Sequence, residues 1–226
     1  KGEYEFYDRV HKCWDKNGHG AVDVRSAIAQ SCDVFFYDAI QSVSLNDLET
    51  RSKQFLHGIP TKIDLPSEMK GRVPNRDFMN KLYGKYGWST GAMLNISIGQ
   101  GEILVTPIQM MAYTNLLATK GLARNLHIVS SEKQNEIVVS TISDRTWDII
   151  HDSMHMVVND KKGTGKLSNP NISGVNVYGK TGTAENPHGE THAWYIGFAN
   201  NNDGDMVSVV VLVENGGGGG SVASPI

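Results

Sequence analysis

The sequence predicts an α+β fold: an antiparallel sheet with helices packed on it. Three observations lead there. Apolar residues recur at helical spacing through much of the first half and again over 144–159. Three β-rich runs then follow one another, at 175–183, 192–199 and 206–213, with connections short enough for antiparallel pairing. Helices first and strands later is the α+β order. The 226 residues are 39% hydrophobic and 20% charged, the composition of a packed globular chain. We read 1–226 as one domain, mainly helical over about 20–125 and sheet-rich over about 126–215.

In chain order, Asp23–Gln30 reads as a short helix and Asp33–Ser42 as a second, apolar at Val34, Phe36, Tyr37 and Ile40. Asn46 with Glu49 three residues on resembles a capping box for a helix that closes near His57-Gly58. Pro60, Pro66, Gly71 and Pro74 make 59–75 a long irregular connection, a kind of segment often tied to function. Thr106-Pro107-Ile108-Gln109 is a strong helix start, with Thr as cap, Pro at the first position and Gln able to reach back. That helix runs to Gly121. Leu126–Val129 and Glu136–Ser140 read as a short hairpin. Asp144–Asn159 is a helix with Ile149, Ile150, Met154, Val157 and Val158 as its stripe. The glycine run 216–220 follows the last strand and reads as a natural flexible turn.

A formal charge of −3 gives no basic footprint for nucleic acid. The longest apolar run, Val207–Val213, falls well short of the roughly 20 residues of a membrane-spanning helix. Lys1-Gly2-Glu3 does not read as a secretory leader, and two cysteines make no disulfide framework. Both ends read as open, so the chain is expected to be part of a larger domain.

Two short strings carry chemistry. Tyr178-Gly179-Lys180-Thr181-Gly182-Thr183-Ala184 ends a strand. Alternation puts Lys180 and Gly182 on one face and Thr181 and Thr183 on the other, and Gly182 leaves room for a ligand to lie flush. Alone, the string would equally suit an edge strand protected by its lysine. The second string, Ser31-Cys32-Asp33, lies between two helices, where it can aim a hydroxyl and a carboxylate into a cleft or merely cap a helix.

Together, and in this order, the two resemble the second and third signature elements of penicillin-recognising enzymes. Val34-Phe35-Phe36-Tyr37, Ser97-Ile98-Gly99-Gln100-Gly101, Val105-Thr106-Pro107-Ile108-Gln109, Ala193-Trp194-Tyr195-Ile196-Gly197-Phe198-Ala199 and Glu214-Asn215-Gly216-Gly217 extend the resemblance to class B penicillin-binding proteins of the cell-elongation branch. The resemblance implies the penicillin-recognising transpeptidase fold, shared with serine β-lactamases, and a D,D-transpeptidase that cross-links peptidoglycan stem peptides through a serine acyl-enzyme. It implies no organic cofactor, β-lactams as inhibitors, and a membrane-embedded glycan polymerase and elongation-complex proteins as partners. It also implies a periplasmic domain on an inner-membrane anchor lying outside this chain. A D,D-carboxypeptidase, a β-lactamase and a non-catalytic penicillin sensor are the alternatives on the same fold.

By this resemblance Ser31 relays a proton, Asp33 orients a lysine or a substrate amide, and Lys180 supplies positive potential. Thr181 and Thr183 hold the substrate's carboxylate beside Gly182, and the Thr183 N–H forms half of an oxyanion hole. Two departures stand out. The nucleophile's Ser-x-x-Lys motif should precede Ser31, yet the match is Ser67-Glu68-Met69-Lys70, downstream and between Pro66 and Gly71. We read that match as a decoy, expect the true motif before Lys1, and expect these residues alone to be inactive. Asp33 stands where many relatives carry Asn, and an ionised carboxylate only accepts hydrogen bonds.

Cys13, His19 and Cys32 offer two thiolates and an imidazole, zinc-type ligands, with Gly18 and Gly20 bending the loop. The alternatives are a Cys13–Cys32 disulfide and simply buried thiols. A fourth ligand would be Asp15 or a residue before Lys1. His192, and the pair His151 and His155, read as structural or solvated residues.

Overall fold

The computed structural model describes residues 1–89, 91–129, 136–139 and 141–226. An antiparallel hairpin, β1 (Glu3–Phe6) and β2 (Arg9–Lys12), opens the chain. Helices follow: α1 (Val24–Gln30), α2 (Asp33–Ala39), α3 (Leu45–Gln54), α4 (Arg76–Tyr83), α5 (Gly91–Ser97) and α6 (Pro107–Ala118). A short pair, β3 (Leu122–Arg124) and β4 (Glu136–Val138), precedes α7 (Asp144–Asn159). The main sheet is β5 (Val175–Ala184), β6 (His192–Asn201) and β7 (Met206–Val213), antiparallel in that order, so β5 is an edge strand.

The helix starts are chemical. Asp23 accepts from the Ser26 N–H at 2.9 Å, and Ser26 returns the bond to the Asp23 N–H. Thr106 and Gln109 make the same reciprocal pair at α6, behind Pro107. Two apolar centres hold the helices. Tyr37, Ile40, Leu45, Met79, Met93, Leu94 and Ile96 pack α2, α4 and α5 together. Leu117, Ala118, Trp147, Met154, Ile196 and Phe198 seal α6 and α7 onto the sheet. A smaller cluster, Ala29, Val157 and Val158 with Val177 against it, fastens α7 between α1 and β5. This last contact fixes how far the end of α1 lies from β5.

The sequence reading holds for α1, α2, α6, α7 and the three long strands. The expected hairpin does not form as drawn. Residues 126–129 are not a strand, because the Asp64 carboxylate takes the Ile128 and Val129 N–H groups at 2.7 and 2.8 Å, and β4 pairs with Leu122–Arg124 instead. Ser140, the expected end of that hairpin, lies outside the described residues. The cap of helix α3 lies two residues before the expected Asn46, with Ser44 accepting from the Asp47 N–H. The β1–β2 hairpin, α4 and α5 were not anticipated.

Candidate active site at the edge of strand β5

Helix α1 ends on Ser31, which adopts the left-handed conformation (φ 53°, ψ 53°). That conformation costs a non-glycine residue about 1–3 kcal/mol and persists only where the surroundings enforce it. Here they do: Cys32 N–H bonds back to Ala27 O at 2.9 Å, and α2 begins at once with Asp33. Ser31 therefore spends no hydroxyl on capping a helix. The loop after β2 braces the junction from both sides. Trp14 N–H donates to Asp33 Oδ2 at 3.0 Å, and the Trp14 indole donates to Gln30 O at 2.9 Å.

Lys180 reaches this junction from β5. Its Nζ donates to Ser31 Oγ at 2.5 Å and to Thr181 O at 2.8 Å. Burial of the ammonium pulls its pKa down to about 8, against the opposing pull of the nearby Asp33 carboxylate. Asp33 acts on Lys180 through this field and makes no hydrogen bond to it among the described residues. The structure thus brings Ser31, Asp33 and Lys180 together.

Thr181 Oγ1 lies 2.7 Å from Thr164 Oγ1, and Thr183 Oγ1 accepts from Gly219 N–H at 3.1 Å. A Cβ on Gly182 would meet Trp194 Cβ at 3.2 Å, a tight contact, so the cross-strand neighbour as well as a ligand disfavours a side chain there. Sequence reasoning gave Gln100 no role. Its side chain donates to Thr183 O at 3.0 Å and accepts from Glu185 N–H at 3.1 Å, gripping the outer edge of β5 as a neighbouring strand would. Its signals in the sequence were its place in the string Ser97-Ile98-Gly99-Gln100-Gly101 and the flanking glycines, which take φ of 78° and 73°. Because Thr183 O faces outward, its N–H faces outward as well.

Cys13, His19 and Cys32 converge, their ligand atoms all within 4.8 Å of one another. Both cysteines are free, buried thiols. Burial pushes the Cys32 thiol up, and Cys13 beside it adds to the rise. Cys13 Sγ and His19 Nδ1 are 3.6 Å apart, and His19 Nε2 is buried with no hydrogen-bond partner among the described residues. Asp15 instead accepts from Asn17 N–H within its own turn.

The remaining candidates bond to other partners. Ser67 has φ 60° and lies in no helix, so no helical turn joins it to Lys70. Glu68 ties that segment to Thr61 and Lys62. His192 Nδ1 accepts from Asn215 N–H, His151 Nε2 bonds Leu117 O, and His155 packs on Tyr178.

A buried lysine bonded to a serine at a helix junction, on an α+β fold with a threonine-bearing edge strand, defines one class of protein. The chain belongs to the penicillin binding protein transpeptidase domain family, whose model matches residues 1–226. Within it, the curated relatives include peptidoglycan D,D-transpeptidase MrdA. The Salmonella typhimurium protein is 32% identical over 168 residues, 70% of this chain and 27% of that protein. The Haemophilus influenzae protein is 30% identical over 222 residues, 87% of this chain and 34% of that protein. Among solved structures, penicillin-binding protein PBP2 of Helicobacter pylori in complex with MreC superposes with a TM-score of 0.90 at 30% identity, covering all of this chain and 42% of that one. PBP2 of Pseudomonas aeruginosa gives 0.83 at 31%, covering 99% of this chain and 50% of that one. The chain spans about a quarter to a third of the length of these curated relatives.

Proposed function

We propose that the protein containing this chain is a serine-type D-Ala-D-Ala transpeptidase that cross-links peptidoglycan stem peptides and is acylated by β-lactams. The observation that carries this reading is the Lys180–Ser31 hydrogen bond, which joins the two chemical strings into one proton-handling pair. A nucleophilic serine, from a Ser-x-x-Lys motif outside these residues, attacks the carbonyl of the penultimate D-alanine. The proton of that serine passes to the lysine of the same motif, the C–N bond breaks, and Ser31 relays the proton from that lysine to the departing amine. In the second half-reaction Ser31 takes the proton from the attacking amine of another strand and passes it to the same lysine, which returns it to the released serine.

Lys180 holds the Ser31 hydroxyl and adds positive potential. Asp33 keeps that lysine charged and anchors the Trp14 loop. The outward N–H of Thr183 suits one half of an oxyanion hole, a contribution of about 10²–10³ in rate. Thr181 and Thr183 take the terminal carboxylate. The names of the MrdA relatives favour cross-linking over a carboxypeptidase, a β-lactamase or a sensor.

Cys13, His19 and Cys32 suit a structural zinc. Ligand lengths of about 2.3 Å for sulfur and 2.0–2.1 Å for nitrogen put tetrahedral neighbours roughly 3.6 Å apart. That matches the 3.6 Å between Cys13 Sγ and His19 Nδ1. Such an ion would tie the loop after β2 to the junction carrying Ser31. By analogy with the H. pylori PBP2–MreC complex and a solved peptidoglycan synthase complex, the partners are an elongation scaffold and a membrane-embedded glycan polymerase. The location that goes with them is periplasmic, on an inner-membrane anchor.

The test is labelling of the full-length protein with fluorescent penicillin, mapped by mass spectrometry. Label on a Ser-x-x-Lys serine outside residues 1–226, reduced at least 100-fold in Ser31→Ala and Lys180→Ala, is the expected result. Label on Ser67 or Ser31, or none on the wild type, overturns the reading.

A further inference from the structure

The glycine run 216–220 is not the free turn its composition suggests. A Cβ on Gly219 would lie 2.1 Å from Gly182 O, and one on Gly220 would lie 2.5 Å from Thr164 O. The last two glycines of the run pack across the threonine face of β5, at the start of the helical turn Gly219–Ala223. Thr164 is seated just as closely. A Cβ on Gly163 would meet Val157 O at 2.3 Å, and one on Gly165 would meet Val157 Cγ1 at 2.9 Å. Thr164 N–H donates to Ala29 O at 3.3 Å, two residues before Ser31. Its hydroxyl touches Thr181 Oγ1. One residue therefore bridges the end of α1 and the threonine face of β5.

A hydroxyl has one proton to give. Thr183 Oγ1 accepts from the Gly219 N–H, so its own proton remains free for another acceptor. A carboxylate accepts only. If Thr181 gave its proton to Thr164, it would turn only lone pairs toward that anion. We propose that Thr164 is a positioning residue: it donates its hydroxyl proton to Thr181 Oγ1, so that Thr181, like Thr183, presents a proton to the ligand's carboxylate. The inference rests on the reading that Thr181 and Thr183 take that carboxylate. The chain Thr164 to Thr181 to anion polarises along its length, which strengthens the last bond.

The experiment compares second-order acylation rates of the full-length protein by benzylpenicillin and by its methyl ester, which has no carboxylate. Thr164→Val is expected to slow acylation by the acid roughly 10-fold, as for loss of support to a charge-assisted bond, and to leave the ester within about twofold. Thr164→Ser should restore the wild-type acid-to-ester ratio. Equal losses for acid and ester, or no loss for either, overturn the proposal and leave Thr164 a spacer. Thr181→Ala tests the underlying reading separately: an unchanged acid-to-ester ratio in that variant would refute carboxylate binding itself. Should Thr164→Val fail to fold, Thr164→Ala is read by the same ratio.

Discussion

Lys180 Nζ and Ser31 Oγ meet at 2.5 Å although 149 residues separate them. Neither residue could arrange this alone. Lys180 projects from the β5 face that also carries Tyr178, the face packed by α7. Helix α7 in turn packs on α1 through Ala29, Val157 and Val158. The hydrogen bond is thus a reading of one packed layer, with the strained turn at Ser31 supplying the final aim.

The first consequence concerns pH. With a Lys180 pKa of about 8, the ammonium is lost as pH rises through that value, well before a free lysine would titrate. Acylation of the full-length protein should fall on the alkaline side with a midpoint near pH 8. Lys180→Arg, which stays charged, should be slower throughout and lose that limb. The stability sign follows from the same shift: between about 8 and 10.5 the unfolded chain binds more protons, so the folded state gains stability as pH rises across that window. A penicillin acylation profile from pH 6 to pH 10 that shows the same limb in both proteins would remove Lys180 from the chemistry.

Gln100 gives a second test. Its carboxamide satisfies Thr183 O and Glu185 N–H, the two outward groups at the end of an edge strand. Gln100→Ala should cost about 1–2 kcal/mol in urea unfolding, the sum of two ordinary hydrogen bonds. It should also slow acylation several-fold, because the Thr183 N–H then moves with a loosened strand end. Gln100→Glu keeps the acceptor for Glu185 but sets a carboxylate against Thr183 O, so it should be no better than alanine.

How much of this was legible beforehand depended on where the information lay. Ser31-Cys32-Asp33 and Lys180-Thr181-Gly182-Thr183 carry their chemistry in residue type, and the caps at Asp23 and Thr106 are local, so both could be read from neighbours in the chain. The β1–β2 hairpin turns at Tyr7 with φ 55°, where glycine or asparagine would have signalled the bend. The roles of Gln100, Thr164 and Gly219 exist only through contacts between residues distant along the chain, such as Thr164 with Ala29 and Gln100 with Thr183, or through the space a missing Cβ leaves. No periodicity reports such contacts. The same holds for Asp64, whose grip on Ile128 and Val129 cancelled an otherwise reasonable strand.

The Cys13–His19–Cys32 cluster predicts a metal-dependent junction. Purified full-length protein should hold about one zinc, and Cys13→Ser or Cys32→Ser should lose it. Each variant should melt several degrees lower and acylate more slowly, since Trp14, next to Cys13, carries both braces of the Ser31 turn. Metal-free wild type, or a Cys13–Cys32 bond in non-reducing mass spectrometry, would end the zinc reading in favour of the other two.

The last prediction concerns a buried histidine. His57 is largely enclosed, its ring centroid 4.9 Å from that of Tyr113 and its Nε2 with no hydrogen-bond partner among the described residues. Burial lowers its pKa to about 4, so the folded protein keeps it neutral where the unfolded chain would charge it. The unfolded state therefore binds the extra proton between about 6.5 and 4, and stability is lost as pH falls through that window. By pH 5 the loss from this one residue is about 2 kcal/mol. His57→Leu removes the titration and the orphaned nitrogen together. Urea midpoints at pH 7 and pH 5 should therefore draw closer in the variant than in wild type; an unchanged gap would show that His57 does not set the acid sensitivity of this fold.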